Sequence, residues 1–381
     1  MHDVIVVGGG PAGNLAAREL ARRDYDVLVL EDHRTPGQPQ HCTGLITDET
    51  ISMSGVRPDI LNTLYGAEVI FPNGKSLEIR SDNPKGKIVD RIDLDIRMAE
   101  AAMNAGAQYS FLDKYKSHSV ESSVLVESTT GTYRAKAIVG ADGVGSAVAM
   151  SLGDNRAKEY VRGIQADIRY TLDDQSIFKL FIGNNVAPGF FGWAIPCGDM
   201  TRIGLCTTWA ANPPSEYLSD LLIKMGVEDR IIRVFSGKIP IGGRPITYGD
   251  RCLLAGDAAG FVKPVSGGGL YPAFTANKHL IKTLSTGLDS DSLNSRDLIE
   301  YEKAWKGEMG RELDHAYSLR KRYRNLSDMD FNKIYDYAKK NNLQEVLADI
   351  DIDHPGSVLK KILYKPSAVL FAIPLLLRSI R

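Results

Sequence analysis

No stretch of the 381-residue chain approaches the roughly 18–20 consecutive apolar residues that a membrane-spanning helix needs. The apolar run at 367–377 is shorter than that and is interrupted by Pro374. Cysteine is scarce: Cys42, Cys197, Cys206 and Cys252 lie far apart and form no CxxC pair. That spacing argues against a disulfide framework or a zinc ribbon and for reduced thiols in a cytosolic compartment. Neither charge sign dominates, with 46 Lys and Arg against 47 Asp and Glu and a formal net charge of −1. Nucleic acid and other polyanions are therefore not expected partners. No basic segment followed by an apolar one precedes the first strand, so no signal peptide is expected and the expected location is cytoplasmic. No Ser-His-Asp grouping, carboxylate pair or metal-ligand spacing is visible, and no metal is expected. Any redox chemistry must come from a bound cofactor.

What is present begins at once. Val4-Ile5-Val6-Val7 is a β-branched run of the kind that a parallel sheet buries on both faces. Gly8, Gly10 and Gly13 then form G-x-G-x-x-G, with Ala12 inside it, followed by Leu15, Ala16, Ala17, Leu20 and Ala21 at helical spacing. Val27 to Leu30 make a second strand that ends at Glu31. In this pattern Gly8 permits a tight turn, Gly10 lets a pyrophosphate approach the backbone, and Gly13 lets helix and strand pack closely. The helix N-terminus offers free N–H groups to phosphate. Glu31, about twenty residues on, can accept both hydroxyls of an adenosine ribose.

Two later segments separate FAD from NAD. Residues 138–146 form an apolar strand that breaks at Asp142-Gly143. Residues 252–270 form another, ending at Gly256-Asp257, followed by Pro264 and Gly267-Gly268-Gly269 before Leu270. A carboxylate at a strand tip suits a ribityl chain and a second phosphate, and the glycines bare more N–H groups at a helix start. A second site this far along the chain serves an extended FAD.

At this point the chain resembles the FAD-dependent hydroxylase superfamily and, within it, the geranylgeranyl reductases, including the archaeal digeranylgeranylglycerophospholipid reductases. The broad marks are Gly8–Gly13 with Glu31, Asp142-Gly143 and Gly256-Asp257, to which Arg91, similar to the family's arginine opening a helix beside the flavin, is added. The narrower marks are Gln40-His41-Cys42-Thr43-Gly44-Leu45, which is similar to those reductases' cysteine-glycine loop, and residues 188–196, PGFFGWAIP, which resemble their P-x-x-Y-x-W-x-F-P signature. Phe191 stands for the tyrosine and Ile195 for the phenylalanine, so any polar contact of that tyrosine is lost here. The resemblance covers about residues 1–325. It implies an α/β fold: a Rossmann-type FAD-binding domain of the p-hydroxybenzoate hydroxylase type, an antiparallel-sheet substrate domain and a helical C-terminal region. It further implies a cofactor-binding set of Gly8, Gly10, Ala12, Gly13, Glu31, Cys42, Thr43, Gly44, Arg91, Asp257, Gly268, Gly269 and Leu270. The electron donor varies in the family: reduced ferredoxin, NAD(P)H or another.

The expected organisation is a discontinuous FAD domain (1–60, 83–158 and 245–295), a sheet domain (61–82 and 159–244) and a C-terminal region (296–381). Asn73-Gly74 marks a hairpin. Phe191 and Trp193, two residues apart on a strand, share a face and form a flat wall for a polyprenyl substrate; the alternative is ordinary core. Cys42 reads as a redox thiol at the flavin or as a packing residue, His41 as a proton donor, and Arg91 as a flavin anchor or a surface partner of Asp93 or Asp95. The other three cysteines read as packing residues. No carboxylate-reading arginine pair is evident on the roof sheet. The expected reaction is reduction of C=C bonds in geranylgeranyl chains, with a flavin monooxygenase or halogenase as the alternative. The apolar run 367–377, flanked by Lys360, Lys361, Arg378 and Arg381, reads as a segment at the headgroup layer of a membrane, or as a terminal helix docked over the FAD domain or a dimer contact.

Overall fold

A computed structural model describes residues 1–40, 42–208 and 212–354. His41 and the 367–381 tail lie outside the described residues. The first strand, His2–Val7, is central: it pairs in parallel with Val27–Glu31 on one side and Thr132–Gly140 on the other. Val4, Ile5 and Val6 are consequently fully buried, which is why this strand carries no polar alternation. Gln108–Phe111 extends the parallel sheet beyond Val27–Glu31, and Cys252–Leu254 extends it beyond Thr132–Gly140. The register sets Val7 beside Leu30 and Gly140, and Gly140 beside Leu254. Gly8, Glu31, Asp142 and Asp257 therefore all emerge at one carboxyl edge. Ligands of open α/β sheets bind at that edge.

A second sheet of seven strands stands over this edge. Its order is Ile231–Ile241, Glu159–Ile168, Met200–Thr207, Phe191–Cys197, Ile177–Ile182, Gly66–Ile70 and Ser76–Arg80. All pairs are antiparallel except Ile177–Ile182 with Gly66–Ile70. The roof starts at Gly66 rather than at residue 61, because Ile60–Leu64 pairs with Gly86–Val89 in a small third sheet that also holds Leu45–Ile46. The Asn73-Gly74 turn joins the last two roof strands, with Gly74 in the left-handed region at φ 78°.

Alternation gives the roof two faces. Ala166, Ile203, Ala194 and Phe181 bury against Leu218, Leu221 and Leu222 of the helix Pro214–Met225. Trp193, Ile195 and Cys206 turn the other way, into a cluster with Leu64, Ile88 and Val262. That second face looks onto the nucleotide-binding edge.

The charged C-terminal region folds as the helices Ser295–Trp305, Arg311–Tyr323, Asp328–Lys340 and Leu343–Leu347. They are anchored rather than loosely solvated. Tyr301 donates its hydroxyl to the Leu254 carbonyl at 2.7 Å, and the buried Arg320 bonds Glu159 at 2.7 Å and the Gly189 carbonyl at 3.2 Å. Among the described residues no helix is long and apolar enough to cross a membrane.

Candidate cofactor and substrate site

The glycine turn is specified by steric contact. A Cβ at Gly13 would lie 2.0 Å from the Gly8 carbonyl oxygen, and one at Gly8, where φ is 102°, would lie 2.4 Å from the Ala141 oxygen. Gly10 is different: a Cβ there meets nothing within 4 Å, so the space beside it is open. The helix Pro11–Ala21 starts from Gly10 with no side-chain cap and no acidic residue in its first turn. Its N–H groups stay free for an anion. Glu31 is fixed at its strand tip by the Gly9 N–H at 2.6 Å and the His33 N–H at 2.9 Å.

The second glycine segment closes against the first. A Cβ at Gly256 would lie 2.8 Å from that of Ala12, and the Asn277 amide donates to the Ala12 carbonyl at 2.7 Å. Gly269 precedes the helix Leu270–Asp289, again without a side-chain cap or an acidic first turn. The position of a Gly269 Cβ is 3.2 Å from Asp257 Oδ1, so that carboxyl sits against the helix start. Burial pushes the Asp257 carboxyl up to about 6, opposed by the Arg91 and Arg244 guanidinia. Gly268 lies against the stem of Lys263, and Leu270 packs beside Leu15, Val89 and Leu94. Asp142 caps the short helix Ala147–Ser151, accepting the Ala147 and Val148 N–H groups at 2.7 and 3.1 Å.

Sheet pairing brings the cysteine loop to Arg91. Leu45–Ile46 pairs with Gly86–Val89, the Gly44 carbonyl accepts the Val89 N–H at 3.0 Å, and a Cβ at Gly44 would lie 2.5 Å from the Val89 oxygen. Arg91, first residue of the helix Arg91–Asn104, then faces the Cys42 side chain. Its ion pair is with Asp95, at 2.9 Å, and both side chains are buried. The surface salt bridge that the sequence allowed is thus an interior one. Burial draws the Arg91 guanidinium down, and Asp95, then Cys42, hold it above its ordinary value nonetheless. The remaining cysteines are buried; burial pushes Cys197 up to about 11 and Cys206 and Cys252 up to about 12.

The roof carries an arginine pair that the sequence did not reveal, but not one that reads a substrate carboxylate. Arg202 grips Asp167 across the strand pair, Nε to Oδ1 at 2.7 Å and Nη2 to Oδ2 at 3.1 Å, with both side chains at most 1% exposed. Arg233, from the next strand, reaches Asp167 Oδ2 at 2.8 Å. Both cations are committed to an internal carboxylate, so neither is left to read a substrate carboxylate. Arg202 also donates from Nη1 to the Thr43 carbonyl at 2.7 Å, and Arg233 to the Gln40 side chain at 3.3 Å. Sequence reasoning missed this row, although Arg202 is the lone charge in the strand Met200–Thr207.

Beside that row lies the aromatic wall. Trp193 is buried and Phe191 half-buried, with ring centroids 6.1 Å apart in an edge-to-face arrangement; Phe190 stacks on Phe191 at 4.5 Å. The glycine turn, Glu31 and Asp257 thus share one sheet edge, the Cys42 loop is tied to the roof that carries this wall, and the open space at Gly10 leaves room for a pyrophosphate.

Comparison with known proteins agrees with this geometry. The family model described as "FAD binding domain" matches residues 1–224. The chain is 28% identical to a digeranylgeranylglycerophospholipid reductase of Methanocaldococcus jannaschii, over 97% of each chain. Its fold matches a geranylgeranyl bacteriochlorophyll reductase-like protein of Thermoplasma acidophilum with a TM-score of 0.85, covering 98% of this chain and 99% of the other at 21% identity. Halogenase PltM, crystallised with phloroglucinol and FAD, matches at a TM-score of 0.70 and 17% identity, covering 94% of this chain and 85% of that one. The chain belongs to the family of the FAD binding domain, with FAD as its cofactor, and over nearly its whole length it is similar to digeranylgeranylglycerophospholipid reductases.

Proposed function

We propose that the protein is an FAD-dependent reductase that saturates C=C bonds of geranylgeranyl chains in isoprenoid ether lipids or their precursors. The observation that carries this is the pairing of the wall with the cradle. An aromatic, largely uncharged face at Phe191 and Trp193 lies on the roof beside arginines Arg91, Arg202 and Arg233, which are engaged by the internal carboxylates Asp95 and Asp167. An unactivated alkene has nothing for charges to recognise. It binds by apolar burial, worth roughly 0.8 kcal/mol per CH₂.

In this reading the turn from Gly8 to Gly13, with Ala12, receives the pyrophosphate, Glu31 the ribose, and Asp257 with Gly268, Gly269 and Leu270 the second phosphate and ribityl chain. Arg91, Thr43 and Gly44 border the ring. Bound FAD supplies the hydride equivalent. In this reading Cys42 gives the proton to the second alkene carbon, and Arg91 and Arg202, which lie near it, balance the charge left on sulfur. The roof excludes water. An external donor, reduced ferredoxin or NAD(P)H, returns electrons to the enzyme. Because the substrate resides in a membrane, the protein works at a membrane surface.

Anaerobic mixing of the reduced holoenzyme with a geranylgeranyl lipid tests this reading. Flavin reoxidation with loss of double bonds is expected. Reoxidation that occurs only with oxygen and an aromatic substrate would identify a monooxygenase or halogenase instead.

A further inference from the structure

Three polar atoms on the site face of the roof have no partner. Gln165 is 4% exposed and Trp193 8%, and the Gln165 Nε2 and Oε1 and the Trp193 Nε1 are all buried without a hydrogen bond among the described residues. Strand register puts the two side chains in one row, Gln165 opposite Gly204 and Gly204 opposite Trp193. Both lean over that glycine: a Cβ at Gly204 would lie 2.4 Å from Gln165 Cβ and 2.7 Å from Trp193 Cζ2. The row lies on the roof face turned away from the helix Pro214–Met225. Gln165 is two residues from Asp167, whose partner Arg202 donates to the Thr43 carbonyl, whereas the neighbouring Ala166 packs on the opposite, helix-covered face.

Buried polar groups in folded proteins are nearly always paired, and an orphaned one forfeits its full hydration. Three orphans on two side chains that flank one glycine, on the face away from the covering helix, are a site prepared for a polar atom. The indole N–H is a donor only, so the atom it meets must be an acceptor. The carboxamide can turn its NH₂ to the same atom, or its carbonyl to a hydroxyl hydrogen. A plain hydrocarbon would leave all three unsatisfied.

We infer that Gln165 and Trp193 Nε1 together bind an oxygen atom of the ligand in the cleft, so the wall is not a purely hydrocarbon surface. Two sources supply such an oxygen: the allylic oxygen that joins a geranylgeranyl chain to its head group, and a ring carbonyl of the flavin. This inference rests on the proposed function and names the polar end of that same site.

The test uses full-length holoenzyme with Gln165→Met, which removes two of the orphaned atoms, and Trp193→Phe, which removes the third; each keeps most of the apolar bulk. The FAD dissociation constant is measured by fluorescence titration. The Michaelis constant is measured for a geranylgeranyl ether lipid and for the oxygen-free hydrocarbon of the same chain. If the substrate supplies the oxygen, either variant raises the lipid's Michaelis constant about tenfold, as expected for one lost hydrogen bond. The FAD value then stays unchanged, as does the hydrocarbon's in Gln165→Met, while Trp193→Phe raises the hydrocarbon's constant less than the lipid's. If the flavin supplies it, the FAD dissociation constant rises by a similar factor and both substrates suffer equally. The apo form of Gln165→Met should melt no lower than wild type, since it loses an orphan rather than a bond. Unchanged FAD and substrate constants in both variants overturn the inference, as does a lowered melting temperature of apo Gln165→Met, which would mean that water inside the fold satisfies the amide. Should Gln165→Met fail to fold, Trp193→Phe decides by the same constants. A wild-type enzyme inactive on every prenyl lipid would defeat the proposed function instead, with the FAD titration still deciding the inference.

Discussion

Arg202 and Thr43, 159 residues apart in the chain, are joined by a 2.7 Å hydrogen bond from guanidinium to carbonyl. Through it the roof sheet holds the loop that carries Cys42. The same guanidinium grips Asp167, so one buried cation fixes the roof strands to each other and to the cofactor side.

The two partners of that pair should respond unequally. Asp167→Asn leaves Arg202 buried without a counter-charge and should cost about 3–5 kcal/mol. Arg202→Met leaves Asp167 its bond to Arg233, and should cost less, about 1–3 kcal/mol. Urea unfolding of the two variants measures both; equal losses would show that Arg233 contributes nothing to Asp167.

Gly10 and Gly13 separate binding from folding. Gly13→Val drives a side chain into the Gly8 carbonyl and should destabilise by about 1–3 kcal/mol or prevent folding. Gly10→Val enters open space, so the protein should fold within about 1 kcal/mol of wild type but purify colourless. A fully yellow Gly10→Val variant would place the pyrophosphate elsewhere.

Asp257 should impose a pH dependence on the FAD-free protein. Burial raises its carboxyl from 3.8 to about 6. Below 3.8 the group is protonated in folded and unfolded chains alike. As pH rises from there to about 6, the unfolded chain gives up its proton first, so this group lowers stability across that window. Asp257→Asn removes the effect. Its melting temperature relative to wild type should climb between about pH 4 and 6 and level off above, and a difference constant with pH would refute the burial of this carboxyl.

Cys42→Ser should keep its flavin, because the loop is held by backbone contacts at Thr43 and Gly44. Reoxidation by a prenyl lipid should slow about 10²-fold or more if the thiol delivers the proton. Rapid mixing of the reduced variant with lipid gives that rate, and wild-type speed would leave Cys42 a packing residue.

Deletion of residues 367–381 should weaken co-sedimentation with anionic liposomes, and added salt should weaken that of the full-length protein, because cations flank this apolar run. Identical sedimentation of truncated and full-length chains would remove the tail as the membrane contact.

The sequence by itself determined the cofactor edge. Gly8, Gly13 and Glu31 were legible because each satisfies a local demand, a left-handed turn, a close helix–strand approach and an acidic strand tip, within one strand–helix–strand unit. Phe191 and Trp193 were legible as one face, because strand alternation needs no partner to be read. Tertiary structure alone decided what stands opposite them. Leu45 pairing with Ile88 brings Cys42 to Arg91, and strand register aligns Arg233, Asp167 and Arg202 into one row and Gln165, Gly204 and Trp193 into the next. These contacts link residues far apart in the chain. Their polar atoms gain value only once burial removes water, and no local spacing records that.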